Sequence, residues 1–127
     1  MAGSLHAGFV PGRHLIDAYG AGGFRFAGMS HQGSILALPS GIKAWNASLP
    51  RDLTADAFAD VAAEAADIEL LLIGTGANHA VLPKEAAAFL ISAGLRHEVM
   101  STAAAARTCN VLLAENRRCA AALLAVA

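Results

Sequence analysis

The sequence predicts a single α/β domain of three layers: a mixed central β-sheet, helices packed on it, and a small N-terminal β-hairpin layer. Three observations carry that prediction. Short segments of alternating polarity fill the first half, between Leu15 and Trp45. The run Ile68-Glu69-Leu70-Leu71-Leu72-Ile73 is nearly continuous in apolar residues, as in a strand covered on both faces. Helical stripes then alternate with short strands to the end of the chain, the pattern that puts a sheet between helical layers.

The first fourteen residues hold His6, Arg13 and His14 among glycine- and alanine-rich filler, without acids. They lack the apolar stretch of a secretory signal and are too poor in arginine for a mitochondrial presequence. Residues 1–14 are therefore expected to form a flexible terminus, and residues 15–127 the folded domain. Leu15 to Tyr19 is expected as the first strand, closed by Gly20-Ala21-Gly22-Gly23. Phe24-Arg25-Phe26 alternates as a half-buried strand does. Gly28 and Gly33 punctuate a hairpin-like passage through His31. Ser34 to Leu38 is a short apolar strand stopped by Pro39. Gly41 to Trp45 alternates again, with Ile42 and Ala44 on one side and Lys43 and Trp45 on the other.

Thr54 is a natural N-cap for the first helix, with Leu53 and Phe58 placed as a hydrophobic staple. Asp56 adds negative charge where the helix dipole favours it. Phe58, Val61, Ala62 and Ala65 then form one buried stripe, predicting a helix that runs to about Asp67. The strand from Ile68 to Ile73 ends at Gly74-Thr75-Gly76. Pro83 suits the first turn of a second helix, whose stripe is Ala86, Phe89, Leu90 and Ala93 and whose stop is Gly94. Arg96 to Val99 makes a short strand. Ser101 or Thr102 caps a third helix reaching about Ala114, and Asn116 permits the left-handed turn of a tight return. Residues 118–124 suit a closing strand by position, although their alanines favour helix; the strand is the expectation here.

Composition narrows the function classes. Hydrophobic residues make up 56% of the 127 and charged ones 15%, and about a quarter of the chain is alanine, which buries little area. Mean hydropathy is +0.50, yet no apolar run approaches the roughly 20 residues that span a bilayer; the longest, Cys119 to Ala127, is too short. Net charge is −1 and the basic residues cluster nowhere beyond Arg117-Arg118. That excludes the concentrated basic stripe that nucleic-acid binding needs. Cys109 and Cys119 lie inside predicted elements and read as buried thiols, consistent with a reducing compartment.

Two regions resemble sites. Gly74-Thr75-Gly76 follows the carboxyl end of a strand, where α/β proteins place ligands. Its backbone either cradles an anion or simply makes a tight turn. It is not a dinucleotide fingerprint, because His79 stands where the third glycine would be, and it lacks the Lys-Ser/Thr of a phosphate loop. Ser101 and Thr102 open a helix, as caps or as an anion site. Arg107 and Asn110, three apart, are expected to share a helix face within an apolar frame. A buried Arg107 would need a partner such as Glu115 or a backbone carbonyl. Trp45, the sole tryptophan, serves either as a surface anchor for a partner or as core. The five histidines show no metal-ligand spacing on any single element. No nucleophile elbow, Cys/His pairing or catalytic carboxylate pair is present, so no catalytic residue, metal or cofactor is assigned.

With these segments placed, the chain resembles one family along nearly its whole length after Leu15. The matching pieces are Ile16-Asp17-Ala18-Tyr19-Gly20 with Gly23-Phe24, and Leu36-Ala37-Leu38-Pro39-Ser40-Gly41 leading to Trp45. Leu70-Leu71-Leu72-Ile73-Gly74-Thr75-Gly76 and Met100-Ser101-Thr102 continue the match. Arg107-Thr108, Asn110-Val111-Leu112, Glu115 and Arg117-Arg118 complete it. The resemblance is to the mitochondrial NADH dehydrogenase (complex I) assembly factor three family. That domain-of-unknown-function family also holds uncharacterised bacterial and archaeal proteins and an adipogenesis-associated vertebrate protein. Cys109 departs from it where an aromatic is usual, and Asn116 where glycine is usual. The resemblance implies a three-layer fold and a non-enzymatic role through protein–protein contacts with membrane-complex subunits or assembly factors. It implies a mitochondrial location for eukaryotic members. For this chain it suggests a bacterial, cytoplasmic protein, peripheral to the inner membrane. The competing expectation is a small-molecule or anion binder, an enzyme included, using Gly74, Thr75, Gly76, Ser101, Thr102, Arg107 and Asn110.

Overall fold

The computed structural model describes residues 9–127. Nine strands and three helices follow in the order β1 (Phe9–Pro11), β2 (Ala18–Gly20), β3 (Gly23–Phe26), β4 (Met29–Gln32), β5 (Ser34–Leu38), β6 (Gly41–Trp45), α1 (Ala59–Ala63), β7 (Leu70–Gly74), α2 (Lys84–Ser92), β8 (His97–Met100), α3 (Thr102–Ala114) and β9 (Cys119–Leu123). Six strands make a mixed sheet in the order β1-β6-β5-β9-β7-β8, and β2-β3-β4 make a separate antiparallel sheet. β9 pairs antiparallel with β5 and parallel with β7, so it joins the hairpin half of the large sheet to the crossover half.

Both faces of the large sheet are buried, and period-two alternation sorts its side chains. Leu36, Leu38, Trp45, Leu71, Ile73, Ala120, Ala122 and Leu124 point to one face, where Leu53, Phe58, Val61, Ala86 and Leu90 cover them. Ile35, Ala37, Ile42, Leu72, Ala121 and Leu123 point to the other, against Ala105, Ala106 and Cys109 of α3 and Phe24 and Phe26 of the small sheet. The crossovers explain this division. β7-α2-β8 steps outward and β8-α3-β9 steps back across β7. Right-handed connections taken in opposite directions put α2 and α3 on opposite faces.

Local signals place most elements. In α2, Gly94 takes the left-handed conformation (φ 77°) one residue beyond the C-cap. Its N–H donates to the Ile91 carbonyl at 3.0 Å and that of Leu95 to Leu90 at 2.9 Å, the pair of bonds that closes a helix with a glycine stop. Asn116 (φ 60°) does the same for α3, with Arg117 N donating to Leu112 O at 2.9 Å. The closing segment is a strand as expected: β9 lies between β5 and β7, where tertiary pairing overrides alanine's helical preference.

Three expectations need correction. Phe9–Pro11, within the stretch expected to be flexible, is a strand paired with β6 in the register Phe9↔Lys43, Val10↔Ile42 and Pro11↔Gly41; residues 1–8 lie outside the described residues. The strand expected over 15–19 starts only at Ala18, because the backbone of Ile16 is bonded to a side chain of α3 instead of a strand. The long first helix is a five-residue α-helix between single 3-10 turns at Asp56–Phe58 and Ala65–Asp67. Two tertiary contacts account for the break. Trp45 Nε1 donates to the Ala57 carbonyl at 2.8 Å, and Glu64 leaves the helical path (φ −110°, ψ 15°) with its carboxylate on Ser40 N and Oγ at 2.9 and 2.6 Å.

Candidate functional site

The carboxyl ends of β7 and β8 meet the start of α3 in one tightly bonded joint. β7 is buried through Gly74 and Thr75. A Cβ at Gly74 would stand 2.8 Å from Thr102 Cα and 2.9 Å from its Oγ1, so only glycine lets α3 begin this close to the strand. Thr102, fully buried, accepts from Gly76 N at 3.0 Å and donates to the Leu124 carbonyl at 2.7 Å. Its own N–H donates to Gly76 O at 2.9 Å. Thr75 N donates to Met100 O at 2.9 Å, while Thr75 Oγ1 donates to Asn78 O at 2.7 Å and accepts from Ala80 N at 3.0 Å. Ser101 Oγ caps α3 by accepting from Ala104 N at 3.3 Å.

Gly74, Thr75, Gly76, Ser101 and Thr102 are thus brought together as the sequence suggests. The N–H groups of Thr75 and Gly76, which an anion would need, are already engaged by the protein. A cleft of about 300 Å³ does open beside the turn, lined by Leu49, Pro50, Asn78, His79, Ala80 and Ala125 among others.

Arg107 and Asn110 do not join this group, and the enclosed arginine expected at position 107 is not there. Arg107 is exposed and makes no ion pair among the described residues. The buried stripe of α3 is Thr102, Ala105, Ala106 and Cys109, and Arg107 lies off it. Asn110 faces the chain between β1 and β2. Its Oδ1 accepts from Ile16 N and its Nδ2 donates to Ile16 O, both at 2.8 Å, as a neighbouring peptide group would. Trp45 is core and not a surface anchor. It is 8% exposed, and its ring lies 5.6 Å from that of Phe58 at a 58° tilt.

Sequence reasoning missed a second corner, at the far end of α3. Cys109 and Cys119 are 1% and 3% exposed with their sulfurs 3.3 Å apart. Arg13, from the segment expected to be flexible, donates from Nη1 to the Cys119 carbonyl at 3.2 Å. The Cys109 thiol bonded to it, with Arg13 nearby, draws Cys119 below the usual thiol range. The same sulfur contact and burial push Cys109 up. The available signal was spacing: Cys109 sits about one and a half turns before the end of α3 and Cys119 opens the strand that returns past it. A third feature is a cleft of about 460 Å³ on the small sheet, lined by Tyr19, Arg25, Ser30, His31 and Gln32 among others. Burial lowers the His31 pKa there.

Known proteins share this architecture. Over 43% of 118 aligned positions the chain is identical to an uncharacterised Rhodobacter capsulatus protein, covering 93% of this chain and 86% of that one. A Bartonella henselae protein, described as an outer membrane protein, superposes at a TM-score of 0.85. It is 48% identical over 92% of this chain and 98% of its own. The NADH dehydrogenase (ubiquinone) 1 alpha subcomplex assembly factor 3 of Xenopus tropicalis is 31% identical over 110 residues, 87% of this chain and 60% of that protein. This chain therefore spans about three fifths of that assembly factor. The model of the family of proteins of unknown function DUF498/DUF598 matches residues 16–124, from the segment that Asn110 clamps to just beyond β9, and the chain belongs to that family.

Proposed function

We propose that this chain is a non-enzymatic accessory protein that acts through protein–protein contacts in assembling a respiratory, complex I-like, or other inner-membrane complex. The observation that carries the reading is the relationship to assembly factor 3 proteins, which runs across 87% of this chain. Gly74, Gly76 and Thr102, which lie in segments that carry the family resemblance, build the joint between β7 and α3. The partners would be membrane-complex subunits or other assembly factors, met in the bacterial cytoplasm at the inner membrane surface. No helix among the described residues is long and apolar enough to cross a membrane, so on this reading association with the membrane is peripheral.

Deleting the gene in its host, followed by native gel analysis of the NADH dehydrogenase complex, tests this. The expected result is less full-size complex and more partial complex, restored by the wild-type gene. An unchanged complex overturns the proposal. The small-molecule alternative draws support from the cleft beside Gly76 alone, with its nearest amides already bonded.

A further inference from the structure

We propose that Cys109 and Cys119 form a redox site, in which a two-electron oxidant of the peroxide class joins the thiols in an intramolecular disulfide that a dithiol reductant reopens. This goes beyond the assembly reading and does not depend on it. The first support is distance. The sulfurs stand 3.3 Å apart, and closure to a bond of about 2 Å asks for a movement of roughly 1.3 Å. The second is the fold around them. Cys109 is held on α3 and Cys119 at the first position of β9, two rigid elements tied by the bonded return at Asn116. Their proximity is built into the core.

The pair is also differentiated. At 3.3 Å the Cys109 thiol can donate to the Cys119 sulfur. The Arg13 guanidinium is fixed on the Cys119 side. Positive charge and a thiol donor stabilise a thiolate on Cys119, the form that reacts. Access is narrow. Arg13, His14 and Leu113 line, with Cys109 and Cys119, a recess of about 10 Å³, room for no more than one water-sized molecule. The same three residues line an adjoining cleft of about 320 Å³. A recess of this size admits no bulky oxidant.

The step balances. Cys119 loses its proton to solvent, and its thiolate attacks one peroxide oxygen. The O–O bond breaks, giving a sulfenic acid on Cys119 and hydroxide, which takes up the released proton as water. Cys109 then gives up its proton and attacks the Cys119 sulfur. The S–O bond breaks, the departing hydroxide takes that proton, and a second water forms with the S–S bond. Two thiols are oxidised by two electrons and one peroxide is reduced to two waters.

The test treats the purified chain with hydrogen peroxide and follows intact mass, maleimide-reactive thiols after denaturation, and the cross-linked peptide. The expected result is a monomer lighter by two hydrogens, both thiols lost together, a Cys109–Cys119 linked peptide, and recovery with dithiothreitol. In Cys109→Ser, Cys119 is expected to stop at the sulfenic acid, captured by dimedone. In Cys119→Ser, Cys109 should react about tenfold more slowly than Cys119 does in the partner variant. The wild-type measurements decide the matter even where a variant folds poorly. Gain of oxygen mass without loss of hydrogens, a disulfide only between molecules, or thiols intact after peroxide overturns the proposal.

Discussion

The two faces of the central sheet are built from different materials. The face under α1 and α2 is filled by large side chains: Leu36, Leu38, Trp45, Phe58, Leu71, Ile73 and Leu90. On the other face α3 itself contributes small residues, Ala105, Ala106 and Cys109, which seat it on β7 and β9, while Phe24 and Phe26 of the small sheet cover the rest. Large residues fill volume and leave the backbones apart. Small residues let backbones approach, so that polar groups reach across. Hence the side-chain-to-backbone bonds of Thr102 to Leu124 and Asn110 to Ile16, and the cysteine contact, all lie along α3. The α1–α2 side is filled mainly by bulk, and the seat of α3 brings its polar groups within reach of neighbouring backbone.

Substitutions can break or sharpen this contrast. On the bulky face, Phe58→Ala should have the largest effect. It removes a fully buried ring that packs at a tilt against Trp45, and a loss of about 4 kcal/mol in chemical denaturation is expected. On the close-packed face the damaging change is addition. Ala105→Leu, at a site with no exposed surface, should cost about 3 kcal/mol and push α3 from the sheet, whereas Ala105→Gly should cost only about 1 kcal/mol. If Leu is tolerated at 105, the two faces are not packed differently. Asn110→Ala should cost less than Phe58→Ala or Ala105→Leu, about 2 kcal/mol for two lost bonds to Ile16. Its signature is local: hydrogen exchange should accelerate at Ile16 more than at Leu72.

The same contrast explains what could be read from the sequence. Where apolar and polar residues differ sharply, as in α2 with Ala86 and Leu90 facing in and Lys84 and Glu85 facing out, the period is plain and the helix sits where the stripe puts it. Along α3, alanines occupy buried and half-buried positions alike, so hydropathy gives no direction and Arg107 was turned inward. The glycine turn was found because a strand end followed by two glycines is a local signal. Its exhausted hydrogen bonds were not visible, since they come from Thr102 and Met100, about 26 residues away. β1 was missed for a related reason. Phe9-Val10-Pro11 has too little pattern of its own, and β6 gives it its structure. The cysteine corner needs Arg13, Cys109 and Cys119 together, and only the folded chain assembles them.

The position of β9 also sets an order of events. Without it, β1, β6 and β5 share no ladder with β7 and β8, because it alone bridges β5 and β7. The local hairpin β5–β6 can zip early, whereas Ile35 meets Leu123 only after most of the chain has been synthesised. Until that keystone is in place, the ladder edges of β5 and β7 that it would fill stand unpaired.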